Sequence, residues 1–171
     1  MVATAADCSA AAFEGNAAIT DNRPRTHRME HFMPSIFSRI IAGELPGHFV
    51  WKDEHAVAFM TIQPIRAGHL LVVPRAEIDQ WDDLPEPLAT HLMCVSRHIA
   101  HALKATYRSA RVALMIAGFE VPHTHLHVLP ADDMGDMSFL KTRMAESEVL
   151  AREAASIRAA LRSSGRPEAE F

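Results

Sequence analysis

The sequence is poor in cysteine, in aromatic residues and in long apolar runs. Its two cysteines, Cys8 and Cys94, are too few and too scattered for a disulfide framework, which favours a reducing, cytoplasmic location. No apolar run is long enough to span a membrane, and the alanine-rich start lacks the basic leader and sustained apolar stretch of a signal peptide. A formal net charge of -4 gives no general basic field for nucleic acid. We therefore expect neither a membrane nor a nucleic-acid partner.

The composition that remains is that of a folded domain. Apolar residues make up 49% and charged residues 22% of the 171 residues, enough for one domain with a core. Residues 1–32 are polar and show no lasting period, so we predict a flexible tail there. Residues 33–131 are predicted to form the domain, and residues 132–171 a C-terminal loop and helix packed on it.

The hydrophobic periods predict an α+β fold. Strands are expected at 49–52, 56–62, 69–74 and 111–117, followed by a strand that carries a row of histidines. Helices are expected at 36–41, at about 84–107 and at about 138–162, where Leu140 and Met144 would belong to the apolar stripe of the last helix. Because hairpin-type connections dominate, the sheet of about five strands is predicted to be antiparallel.

The histidine row is the strongest local feature. His123, His125 and His127 occupy alternate positions, so in a strand they would share one face, while Leu126 and Val128 would point into a core. Three imidazoles side by side could bind a metal, since neutral imidazole is a good zinc ligand, although no nearby cysteine completes a ligand set. Alternatively, one imidazole could attack phosphorus or an acyl carbon while its neighbours hold the tautomer and donate a proton. A purely structural row is the third possibility.

The residues around the row resemble the histidine triad superfamily. The run Pro122-His-Thr-His-Leu-His-Val-Leu-Pro130 is similar to the family signature, in which His-x-His-x-His is followed by two apolar residues. Three further blocks match in order: Ile36-Phe-Ser-Arg-Ile-Ile-Ala-Gly-Glu-Leu-Pro46, Ala58-Phe-Met-Thr-Ile-Gln-Pro64 and Ala67-Gly-His-Leu-Leu-Val-Val-Pro74. The resemblance covers about residues 34 to 131.

The resemblance implies a fold, a partner class and a mechanism. Family members are small α+β proteins that mostly form homodimers and that cleave or transfer nucleotides at the α-phosphorus, with no cofactor. By position, His125 would be the nucleophile that forms a nucleotidyl-histidine, and His127 would hold and tune the site. His123 would contact phosphate or help the leaving group, and His69 would support the triad.

The resemblance also implies the substrate-binding residues. These are Phe37 and Ile40 for the base, with core packing as an equal alternative, Thr61 and Gln63 near the ribose, and Glu120 and Val121 near phosphate. Two of these depart from the family pattern. Thr61 replaces an acidic residue that often holds the ribose hydroxyls, and Glu120 brings a negative charge into a short loop that retains only Gly118. Glu120 would either disfavour polyphosphates or turn outward.

A structural zinc is not expected. Some relatives hold one partly through two cysteines, whose positions are Ser35 and Ser38 here, and through a histidine whose position is Glu77; serines are poor zinc ligands. Three functions remain open: a nucleotide hydrolase or nucleotidyl transferase, a non-catalytic nucleotide-binding or scaffold protein, and a metalloprotein with histidine ligands.

Overall fold

An antiparallel sheet forms the centre of the computed structural model, which describes residues 33–171. Its strands are β1 (Phe49–Lys52), β2 (Ala56–Met60), β3 (Leu70–Pro74), β4 (Arg111–Ile116) and β5 (Leu126–Ala131), in the order β1-β2-β3-β5-β4. The helices are α1 (Ile36–Ile41), α2 (Glu86–Tyr107) and α3 (Ser147–Ser163). The predicted class, with a long helix between strands, is confirmed. The predicted tail, residues 1–32, lies outside the described residues.

The two faces of the sheet carry different helices. On one face, α2 and α3 bury their apolar stripes against the strands, and both Leu126 and Val128 belong to this main core. On the other face, Phe37 of α1 packs with Phe59, Leu71 and Val73. Because neighbouring side chains of a strand alternate, His127 faces the α1 side, opposite the main core. The fold therefore separates the chemistry-bearing side of β5 from the side that stabilises it.

The histidine strand is shorter than the sequence predicts, because β5 begins at Leu126. His123 and His125 precede it, so the three histidines do not form one regular strand row. Their backbone finds other partners: the Thr124 N–H donates to the Ile78 carbonyl at 2.7 Å, and the Thr124 hydroxyl donates to the Asp79 carbonyl at 3.1 Å. These bonds hold the segment beside the end of β3 without continuing the ladder.

The C-terminal helix begins later than predicted, at Ser147 and not near Ser138. Leu140 and Met144, expected in its apolar stripe, are 90% and 67% exposed. The reason lies in the backbone hydrogen bonds: the N–H of Arg143 donates to the Pro64 carbonyl and that of Ala145 to the Ile62 carbonyl. We call residues 132–146 the strap, because this segment crosses from the end of β5 to α3 along the loop that precedes β3.

No helix within residues 33–171 combines the length and apolar character needed to cross a bilayer.

Candidate active site

Two imidazoles, His69 and His127, are linked so that their tautomers are fixed. The Ile65 N–H donates to Nδ1 of His69 at 3.1 Å, so this nitrogen is an acceptor and Nε2 of His69 carries the proton. Nε2 of His69 lies 3.0 Å from Nδ1 of His127, which must therefore accept. His127 consequently carries its own proton on Nε2. Neutral His127 is a hydrogen-bond donor at that atom.

His125 has the opposite tautomer arrangement. Its Nδ1 lies 2.7 Å from the carbonyl oxygen of His123, which can only accept, so Nδ1 carries the proton. The Nε2 lone pair of His125 is then free to attack an electrophile. The ring is held edge-on by Phe37 and His127, each with its centroid 4.9 Å away. Geometry and tautomer together leave Nε2 of His125 unprotonated, which is the form that a nucleophilic imidazole requires.

His123 is enclosed and both of its ring nitrogens are bonded. Its side chain is 0% exposed; Nε2 donates to the Pro74 carbonyl at 2.9 Å, and Nδ1 therefore accepts from the Ser35 hydroxyl at 2.7 Å. It does not line the cavity in which His125 and His127 meet. The structure thus places His123 behind His125, where its carbonyl orients the His125 ring, and outside the lining of the cavity.

A network of oxygen atoms surrounds Ser35. The carboxylate of Glu77 accepts from the Ser35 N–H at 3.1 Å and from the Ser38 hydroxyl, and the Ser38 N–H donates to the Ser35 hydroxyl oxygen at 3.1 Å. Although burial opposes it, these hydrogen bonds lower the pKa of Glu77. The carboxylate therefore stays ionised, and the network holds the hydroxyl that bonds His123.

This network does not fit a structural zinc ion. Its possible ligand atoms belong to two neutral hydroxyls, one carboxylate and an imidazole nitrogen that already accepts a hydrogen bond from Ser35, with no thiolate among them. Structural zinc sites in proteins use Cys and His almost throughout. In residues 33–171, no group of three or more His, Cys, Asp or Glu side chains is arranged to hold a metal.

A cavity of about 340 Å³ opens above His125 and His127, and we call it the catalytic cavity. It is lined by Thr61, Gln63, His69, Ala117, Gly118, Phe119, Glu120, His125, His127, Phe139 and Thr142. The structure thus brings together His69, His125, His127, Thr61, Gln63 and Glu120 from the predicted site. Val121 packs instead against the apolar cluster around Phe37.

The sequence analysis did not assign Ala117, Phe119, Phe139 or Thr142 to the site, although all four line the cavity. Phe119 was detectable in principle because it adjoins Glu120 in the loop before the histidines. Phe139 and Thr142 lie in the strap, in a segment predicted to be helical, so nothing in the pattern directed them to the site. The Phe139 ring contacts that of His127, with centroids 5.0 Å apart.

A second, apolar cavity of about 270 Å³ adjoins the first. Phe37 and Ile40 line it together with Phe59, Leu71 and two residues of the strap, Met144 and Ala145. Thr61 lines both cavities, so it lies on their shared border. Phe37 also belongs to the buried cluster on the α1 face, so its ring packs in this core and lines the apolar cavity as well.

Burial keeps the histidines neutral. It lowers the pKa of His69 to about 4, and it lowers that of His127 to about 3 with added repulsion from His125 and His69. Burial also lowers the pKa of His125, against the opposing effect of the hydrogen bond to His123. All three imidazoles are therefore uncharged near pH 7, as a nucleophile and a neutral hydrogen-bond donor require.

The turn before His69 is tied to the C-terminal helix. Gly68 has φ +83°, and an added Cβ would lie 2.6 Å from the Tyr107 ring, so only glycine fits. Its N–H donates to the Glu153 carboxylate of α3 at 2.9 Å. Burial, followed by the charge of Glu153 and a hydrogen bond to it, raises the pKa of Tyr107. The helix α3 thus helps to position the supporting histidine.

The sheet, the flanking helices and the neutral imidazole cluster define the histidine triad class of α+β proteins. The protein-family model of the HIT domain matches residues 42–134 of the sequence, more than half of the chain. The chain therefore belongs to the HIT family.

Relatives and solved structures agree with this assignment. An uncharacterised HIT-like protein of Mycobacterium tuberculosis is 37% identical over 118 residues, which cover 66% of this chain and 81% of that protein. The adenosine 5'-monophosphoramidase of Saccharomyces cerevisiae is 33% identical over 99 residues, covering 57% of this chain and 63% of the yeast protein. A crystal structure of a HIT-like protein from Bartonella henselae aligns with a TM-score of 0.67 and 27% identity, covering 74% of this chain and 95% of the other.

Proposed function

We propose that this protein is a nucleotide-directed hydrolase or nucleotidyl transferase that cleaves nucleoside phosphoramidates at the α-phosphorus. The observation that carries the proposal is the pair of opposite tautomers: a free Nε2 lone pair on His125 beside an Nε2–H on His127, both lining one cavity. The yeast relative, an adenosine 5'-monophosphoramidase, supports this substrate class.

The two cavities suggest how a nucleotide binds. The apolar cavity with Phe37 and Ile40 suits the base, the catalytic cavity suits the phosphate, and Thr61 on their border is positioned to meet the sugar. Gln63, exposed beside Thr61, offers an amide to the ribose hydroxyls.

The proposed reaction has two steps. Nε2 of His125 attacks the α-phosphorus, the P–N bond breaks, and the amine leaves with the bonding pair and a proton taken from solvent. Neutral His127 keeps its proton and donates a hydrogen bond from Nε2–H to the phosphoryl oxygen. The positive charge that forms on His125 is stabilised at Nδ1–H by the His123 carbonyl. Water then attacks the nucleotidyl-histidine and loses its proton to solvent, His125 leaves as a neutral imidazole, and the nucleoside monophosphate is released. His69 keeps Nδ1 of His127 in its accepting state, and His123 acts as a positioning residue.

The test is hydrolysis of adenosine 5'-monophosphoramidate by wild type, His125→Ala and His127→Ala. His125→Ala is expected to lower kcat at least about 10³-fold, and His127→Ala about 10²- to 10⁴-fold. Rapid quench followed by intact mass should show one nucleotidyl group on wild type and none on His125→Ala. His101→Ala, which removes an exposed histidine of α2, is the matched control. Nucleotide binding in calorimetry without turnover by wild type would instead favour the non-catalytic scaffold.

We also propose that the protein is a cytoplasmic homodimer. The strand β4 lies at one edge of the sheet, and its Leu114 and Ile116 are partly exposed, so a second copy could extend the sheet there. Light scattering at micromolar concentration should give the dimer mass, and Ile116→Lys should give the monomer. A monomeric wild type would contradict this proposal.

A further inference from the structure

The catalytic cavity has an unusual charge for a site that receives phosphate. Among its eleven lining residues, Glu120 is the one carboxylate and none is lysine or arginine. The lining histidines are neutral near pH 7 because burial lowers their pKa values. The lining therefore contributes a single negative charge.

Glu120 is available to a ligand. Within residues 33–171 its carboxylate forms no ion pair and no hydrogen bond, and its side chain is exposed. It follows Gly118, whose φ of +76° turns the chain in the loop before the histidines. Its carboxylate lies close enough to His125 to favour the charged form of that imidazole, although burial outweighs this effect.

Two aromatic rings share the cavity with this carboxylate. Phe119, next to Glu120, is 96% exposed. Phe139 of the strap contacts the ring of His127 and is still 43% exposed. A carboxylate with accessible aromatic faces is the environment that an organic cation prefers. It is unsuited to a leaving group made of phosphates, whose charges would face Glu120 without a cationic side chain from the lining.

We propose that Glu120, with Phe119 and Phe139, forms a subsite for a positively charged leaving group, so that the preferred substrates are nucleoside phosphoramidates of diamines. This inference rests on the function proposed above. The P–N bond breaks at one nitrogen of the diamine, which takes the bonding pair and a proton. The second nitrogen remains an ammonium throughout and pairs with Glu120. Water supplies the oxygen that replaces the amine on phosphorus.

The experiment uses three adenosine phosphoramidates of matched length, made with 1,5-diaminopentane, hexylamine and 6-aminohexanoate. For wild type, kcat/KM for the cationic substrate is expected to be about fivefold above the neutral one and about 25-fold above the anionic one, as for a partly exposed charge pair. Raising the ionic strength should reduce both ratios. In Glu120→Gln the ratios should fall towards one, and in Glu120→Lys the order should reverse. Glu54→Gln removes an exposed carboxylate of the β1–β2 turn and should keep the wild-type ratios.

The outcomes separate the two proposals. If wild type cleaves the neutral substrate but shows no preference for the cation, or if Glu120→Gln keeps that preference, the leaving-group subsite is wrong and the hydrolase stands. If wild type cleaves none of the three substrates or adenosine 5'-monophosphoramidate itself, the proposed function fails and the subsite with it.

Discussion

The histidine end and the outer wall of the catalytic cavity are built in different ways. At the histidine end, His69, His123 and His125 are buried, and their hydrogen bonds run to backbone atoms, to His127 and to Ser35. The outer wall consists of loop and strap residues such as Phe119 and Glu120, which are exposed and have few partners. The enclosed end fixes the tautomers of its imidazoles, whereas the open wall is accessible to a ligand and carries the proposed leaving-group subsite.

The largest expected effect on the enclosed end comes from pH. Histidine has a pKa near 6.5 in an unfolded chain, whereas burial lowers that of His69 to about 4 and that of His127 to about 3. Below pH 6.5 the unfolded state therefore binds protons that the native state does not, so the free energy of unfolding must fall as the pH decreases towards 4. We expect a loss on the order of 2 kcal/mol from His69 alone between pH 7 and pH 5.

Urea denaturation at pH 7, 6 and 5 measures this loss. His69→Asn, which cannot titrate, should show a shallower dependence on pH than wild type. Equal stability of wild type at pH 7 and pH 5 would contradict the view that the histidine end is held neutral by burial.

A second prediction concerns the network behind His123. Ser35→Ala removes the hydroxyl that donates to Nδ1 of a fully buried imidazole, and leaves that nitrogen without its partner. We expect the free energy of unfolding to fall by about 1–3 kcal/mol. Urea denaturation at pH 7.5 is the measurement. Ser163→Ala, which removes an exposed hydroxyl near the end of α3, should change stability by less than about 0.5 kcal/mol. Equal effects of the two variants would show that the network adds no stability.

Most of the sheet could be predicted from sequence because its strands are short, mainly apolar runs bounded by turn residues or proline. The alternation Leu126, Val128 correctly indicated which face of β5 enters the core. The sequence blocks around His69 and His125 predicted that these histidines lie together, because the spacing and the neighbouring residues in each block are local features. What failed depends on contacts distant in sequence. The late start of the histidine strand, at Leu126, reflects the bonds of Thr124 to residues 78 and 79.

The placement of His123 and of the strap could not be predicted for the same reason. Ser35, Glu77 and His123 come from three separate segments, and nothing in their spacing shows that a hydroxyl will bond an imidazole. Residues 138–146 have a helical apolar pattern, but two of their N–H groups bond the loop at residues 62 and 64. These tertiary hydrogen bonds outweigh the local helical preference, and as a result Phe139 lines the catalytic cavity.

The smallest expected effect tests how firmly the open wall is held. Arg66 donates to the carboxylates of Asp132 and Asp136, so these two ion pairs tie the strap to the loop before His69. Within the strap, the ammonium of Lys141 lies 3.7 Å from the Asp136 carboxylate. Arg66→Ala should loosen Phe139 and Thr142 at the cavity and raise KM a few-fold with little change in kcat. The pairs are exposed to solvent, which screens them, so the effect is expected to be small. Steady-state kinetics on adenosine 5'-monophosphoramidate gives both constants, and Arg39→Ala, which breaks the exposed pair with Glu44, is the matched control. A fall in kcat with unchanged KM would mean that the strap acts on the histidine end itself, and the division between an enclosed end and an open wall would then be wrong.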